Sequence, residues 1–159
     1  MKNMKWKSVL ALLLAVAIFA VASRADAWVK VTVRNNRSHN LSIAFRWDGF
    51  DGSESGNKGW FTVNAGQSRT ITLDDAVASL TMEKFGYYAT GGGSAWRGNN
   101  ETGIGGWIHP RNAFDITTDV DGKVENAVSG MEQVLFRRVN LSKTGDRNMD
   151  ATATLTFNP

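Results

Sequence analysis

From Val29 onward the hydrophobic residues tend to recur at every second position. Val29, Val31 and Val33 alternate with Lys30, Thr32 and Arg34. Leu41, Ile43, Phe45 and Trp47 alternate with Ser42, Ala44 and Arg46. Near the end, Ala151, Ala153, Leu155 and Phe157 alternate with Thr152, Thr154 and Thr156. Side chains on a strand point to opposite faces in turn, so each run describes a half-buried strand with one wet face. β-Branched and aromatic residues dominate these runs, as a pleated surface prefers. Phe45 and Trp47 fall on the core stripe.

Turn signals punctuate the rest. Asn35-Asn36 follows the first strand, and Asn64-Ala65-Gly66-Gln67 separates a strand at 59–63 from one at 68–73. Asp121-Gly122 between 114–120 and 123–128 is a hairpin signal. Further strands are expected at 81–90, 104–108 and 131–139, and one helical turn at 74–80. Roughly eight or nine short strands without a helical period predict an all-β fold, an antiparallel β-sandwich in a single domain spanning 28–159. The Gly-rich stretches at 49–59 and 91–106 read as long loops on that domain.

The first 27 residues differ in kind. Lys2, Lys5 and Lys7 precede an unbroken apolar run at 9–22, which is followed by Ser23-Arg24-Ala25-Asp26-Ala27. The run is shorter than the ~20 residues that a membrane span needs. With Ala25 and Ala27 as small cleavage-site residues, 1–27 reads as a signal peptide removed before Trp28. This leader carries the whole formal charge of +3, and the rest of the chain is neutral. A neutral domain has little attraction for a phosphate backbone, so nucleic acid is not an expected partner. The expected location is outside the cytoplasm: periplasm, cell surface or medium. No later segment approaches a transmembrane span. The chain has no Cys, which removes thiol catalysis, thiolate zinc sites and a disulfide framework.

Motifs for chemistry are weak. His39 and His109, the two histidines, stand far apart and read as solvent-facing or loop residues, so no metal is expected. Asp119-x-Asp121-Gly122 lacks the acids of a calcium loop, with Thr117 and Val128 where two would stand. Ser94 is not in a Gly-x-Ser-x-Gly elbow, and Gly103-Ile104-Gly105-Gly106 has no phosphate-loop Lys. No catalytic residue and no cofactor is assigned. A pair of carboxylates working on a glycan is an alternative that the sequence leaves open.

Aromatic residues are the informative inventory. Most large rings in a small sandwich are core. Trp96 and Trp107, however, lie in Gly- and Asn-rich surroundings, where an indole can stack on a sugar or rest among lipid headgroups. Trp96, Arg97 beside it and Trp107 are therefore the candidate ligand-binding residues. The competing reading is that each indole plugs the space under its own loop.

The order of motifs carries a resemblance. Val31-x-Val33-x-Asn35-Asn36, Leu41-Ser42-Ile43-Ala44 and Gly59-Trp60-Phe61-x-Val63-x-Ala65-Gly66 resemble the opening of the exported bacterial family called domain of unknown function 1036. Tyr87-Tyr88-Ala89, Trp96-Arg97-Gly98, Phe114-Asp115-Ile116 and Phe136-Arg137-Arg138-Val139 follow in that family's order. The resemblance implies a secreted or periplasmic β domain and supplies no catalytic residues. Many members carry cysteines that this chain lacks, so no disulfide framework comes across. In its best motif, Gly59, Trp60, Phe61 and Gly66 read as scaffold. Gly66 takes positive φ to close a turn, and Gly59 lets the backbone pass close beside Trp60.

These readings predict an exported, non-enzymatic interaction or envelope-surface module. The partners it admits are a cell-surface glycan, a lipid or another protein. One alternative is a membrane-active sandwich similar to aegerolysins or actinoporins, with Trp96 and Trp107 at the lipid interface. A second is a small glycan hydrolase. The sequence assigns no oligomeric state.

Overall fold

A computed structural model describes residues 28–48, 55–73, 84–118, 124–144 and 150–159. The expected signal peptide at 1–27, the expected helical turn at 74–80 and the expected Asp121-Gly122 turn lie outside the described residues. Among those described, every regular element is a strand: β1 (Val29–Asn35), β2 (Leu41–Asp48), β3 (Ser55–Val63), β4 (Ser68–Leu73), β5 (Phe85–Gly91), β6 (Ser94–Trp96), β7 (Ile104–Ile108), β8 (Phe114–Thr118), β9 (Val124–Glu125), β10 (Glu132–Arg138), β11 (Ser142–Thr144) and β12 (Asp150–Phe157). There are more of them than the alternation predicts, because β6 and β11 have three residues each and show no period. No helix among the described residues is long and apolar enough to cross a membrane.

The strands form the two sheets of a β-sandwich. One has the order β11-β12-β1-β4. The other has the order β7-β10-β5-β2-β3-β8-β9, with β6 on β5. All pairings are antiparallel except one: β1 runs parallel to β12, from Val29↔Ala151 to Asn35↔Phe157. The chain's first and last described strands thus lie side by side, a closure that a parallel pair permits only through a long connection.

Alternation sorts the side chains into two clusters. Val29, Val31 and Val33 of β1, Leu41, Ile43, Phe45 and Trp47 of β2, and Phe85, Tyr87 and Ala89 of β5 meet between the sheets with Ala151 and Phe157. The intervening residues of the larger sheet serve its other face. There Ala44, Phe114, Ile116 and Phe136 gather with Ile104 and Ile108 of β7. This second cluster exists because the larger sheet curls, bringing β7 over β3. At the mouth of the curl the Trp107 N–H donates to Asn57 Oδ1 at 3.2 Å.

Turns are fixed by buried polar groups. Asn35 is fully buried, and its amide donates to the carbonyls of His39, Val63 and Asn64 at 2.9, 3.0 and 3.2 Å. One side chain therefore ties the β1–β2 connection to the β3–β4 turn, leaving none of these carbonyls stranded. Gly66 in that second turn has φ +69°, the left-handed conformation that glycine adopts without strain. Gly59 also needs its bareness toward β2, because a Cβ there would sit 2.6 Å from Ala44 Cβ. Nearby, the register against β2 steps from Ile43↔Phe61 to Phe45↔Lys58, which places one extra residue in β3. Such a bulge increases the local bend.

Candidate functional site

The concave face of the curled sheet carries the site. Tyr87 and Tyr88 are consecutive in β5, so one ring enters the core between the sheets and the other turns into the curl. Tyr88 is half-buried. Its ring lies 5.9 Å from Trp60 and 6.3 Å from Phe136, at 60° to each. Trp60 is itself held. It meets Phe114 edge-on at 5.8 Å, and its Nε1 donates to the His109 carbonyl at 2.8 Å. Offset and tilted arrangements of this kind are the favoured ones for aromatic pairs. Tyr88 is therefore packed against Trp60 and Phe136.

Two clefts share Tyr88 as a wall. The larger, about 700 Å³, is bounded by Arg97, Asn99, Asn100, Gln133 and Val134. The smaller, about 390 Å³, is bounded by Ser42, Trp60, Thr90, Arg111 and Glu132. The loop that carries Arg97 and the two asparagines is tied down. Gly98 N donates to Leu135 O at 2.8 Å, and Asn99 Oδ1 accepts from the N–H groups of Glu101 and Thr102 and from the Thr102 hydroxyl. This turn fixes the rim facing Tyr88.

Beside the site lies a part-buried polar layer. Arg46 Nη1 donates to Asn57 Oδ1 at 3.3 Å, and Nη2 donates to Asp48 Oδ1 at 3.1 Å. Burial lowers the Arg46 guanidinium from its ordinary value, and the charge of Asp48 opposes that. Lys84 reaches the other oxygen of Asp48 at 3.3 Å.

The structure separates the three residues expected to bind ligand. Arg97 is exposed on the rim of the larger cleft. Trp96, one residue earlier, faces the opposite way. It packs edge-on against Phe157 at 5.0 Å under the Arg37 guanidinium, 4.9 Å away, at the seam between the sheets. Trp107 is half-buried and packs on the cluster inside the curl. Both indoles are thus packed under or beside their loops. His109 is buried in its loop, where Nδ1 accepts from the N–H groups of Arg111 and Asn112 at 3.1 and 2.9 Å. His39 is exposed beside Ser38. Among the described residues no three of His, Asp and Glu gather as metal ligands would.

Tyr88 was missed, although a signal was present. Two consecutive tyrosines in a strand must put one ring on each face, and the core between the sheets accounts for only one of them. Compared with protein-family models, curated proteins and solved structures, the chain finds no match.

Proposed function

We propose that this chain is an exported, non-enzymatic interaction module of the envelope or cell surface, and that it takes a cell-surface glycan in the clefts flanking Tyr88. The observation that carries the reading is Tyr88 itself, a packed aromatic wall with planar polar groups on both sides. A pyranose offers an apolar face of C–H groups and a rim of hydroxyls. The first stacks on an aromatic ring, and the second requires donors and acceptors of the kind that Asn99, Asn100, Gln133, Ser42 and Glu132 present. Sites of this type combine an apolar surface with a few polar groups, and holding them in place beforehand reduces the cost of ordering on binding.

Binding without turnover is favoured by the composition of the walls. Glu132 is the one carboxylate lining these two clefts among the described residues, and glycoside hydrolysis ordinarily uses two. Export is supported by the basic and apolar leader at 1–22 and the small residues Ala25 and Ala27 after it.

The test is a glycan array probed with the processed protein, followed by calorimetric titration of the best hit. Tyr88→Ala should abolish binding, whereas Tyr88→Phe should retain most of it, and the bound glycan should be recovered uncleaved. A hit whose affinity is the same in Tyr88→Ala would move the site elsewhere. Release of reducing ends would convert the module into an enzyme.

A further inference from the structure

The seam between the sheets holds a feature independent of Tyr88. β1 accompanies β12 over Ala151–Phe157, but β11 pairs with it only at Asp150, Ala151 and Thr152. Among the described residues the later half of β12 therefore pairs on one side alone. Two hydrogen bonds fix which groups are left over. Ala151 N donates to Trp28 O at 3.1 Å, and Phe157 O accepts from Asn36 N at 2.9 Å, so the odd-numbered peptide groups of β12 face β1. Peptide groups alternate sides along a strand. The N–H and C=O of Thr154 and Thr156 thus point the other way, where no strand among the described residues pairs with them.

That open edge borders a cleft of about 340 Å³ between β12 and β10. Tyr87, Trp96, Val139 and Leu155 give it apolar walls, and the exposed residues Arg137 and Arg138 belong to its lining, Arg137 on the face of β10 that Val139 continues. Arg137 lies opposite Tyr87 in the β10–β5 register. A third guanidinium, Arg37, lies over Trp96 and donates to the Asn158 carbonyl at 3.0 Å. No carboxylate is among the lining residues. The cleft is therefore locally cationic in a domain that is neutral overall.

We infer that this seam docks an extended acidic segment of a partner protein, added as a strand to the open edge at Thr154 and Thr156. Unpaired strand edges template exactly one kind of partner backbone, an extended one, and main-chain hydrogen bonds supply the affinity. Alternate side chains of the incoming segment point inward, where a carboxylate meets Arg137, with Arg138 adding positive charge at the rim. Guanidinium–carboxylate pairs add geometric selection to the charge. A glycan or a small anion could use the arginines, but neither matches the row of peptide donors and acceptors beside them.

The experiment follows amide hydrogen exchange by NMR in the processed protein, with a synthetic octapeptide alternating Glu and Thr. A Lys–Thr octapeptide and inorganic phosphate serve as comparisons. The Glu–Thr peptide should slow exchange at the Thr154 and Thr156 amides by about tenfold or more, as a newly paired edge does, and the comparisons should not. The double variant Arg137→Glu/Arg138→Glu, changed only at exposed positions, should lose the effect. Thr156→Pro should lose it too, since it removes an outward N–H and spares the bonds to β1. Binding without protection of those two amides, equal protection by the Lys–Thr peptide, or protection that survives the double variant would each overturn the inference.

Discussion

The backbone N–H of Trp107 donates to the side-chain oxygen of Asn57, and that bond joins β7 to β3 across the mouth of the curled sheet. Asn57 is fully buried, and the same oxygen also accepts from Arg46. Replacing it with Leu keeps the approximate size but leaves a main-chain donor and a guanidinium short of an acceptor. Asn57→Leu should cost about 3 kcal/mol in urea unfolding, because a stranded buried donor loses its hydration without compensation. Asn57→Asp keeps an acceptor for both groups and should cost less. Equal losses would mean that the shape of the side chain, not its oxygen, holds the curl.

Asp48 makes a parallel case with charge. The Arg46 and Asp48 side chains are only 14% and 19% exposed, so each depends on the other. Asp48→Ala should cost about 2–3 kcal/mol, below the range for removing one member of a fully buried pair because the pair is only part-buried. Asp115→Ala breaks a shorter ion pair, 2.7 Å from Lys58, yet Asp115 is 53% exposed. Water and salt screen that pair, and its loss should cost no more than about 1 kcal/mol. Urea unfolding of both variants at low and high salt checks the contrast, with only the Asp115 difference fading.

The fold was legible in the sequence because alternation reports which face each side chain serves. β4 and β7 occupy the predicted 68–73 and 104–108. Alternation does not report neighbours. Nothing in Val29–Asn35 announces that its partner is Asp150–Phe157 in parallel, because two half-buried strands have the same pattern whichever way they pair. The curl was hidden for a related reason. It is closed by a backbone N–H, which every non-proline residue has, accepted by one asparagine fifty positions away. Glycine-rich surroundings left Trp96 and Trp107 open between exposed rings and plugs under their loops; both are half-buried and packed, and the ring that the two clefts on the curl share is Tyr88.

Trp60 packs against that ring and shares the wall of the smaller cleft with it, so its removal should damage stability and binding together. Trp60→Ala deletes the contacts with Tyr88 and Phe114 and should cost about 3–5 kcal/mol, as large-to-small changes at packed aromatics do. Trp60→Phe retains an aromatic ring but gives up the donor to the His109 carbonyl. That loss should be about 1–2 kcal/mol. If Tyr88 is pre-oriented by Trp60, glycan affinity should fall in Trp60→Phe even where the variant is fully folded. Unchanged affinity in the folded variant would show that Tyr88 needs no such support.

Tyr87 provides the pH-dependent test. Burial raises its phenol above the ordinary value, while the charge and hydrogen bond of Arg137 pull in the opposite direction and offset only part of that rise. The folded state thus binds this proton more tightly than the unfolded state does. Its contribution to stability is complete below the unfolded value, about 10, and is lost as pH rises through the folded one. Unfolding free energy should therefore drop at alkaline pH more steeply in the wild type than in Tyr87→Phe, which has no phenol to ionise. Arg137→Ala removes the opposing influence and should move Tyr87 ionisation to still higher pH, read from phenolate absorbance. A downward move would mean that Arg137 acts on Tyr87 mainly by keeping water away from it, and not through its charge.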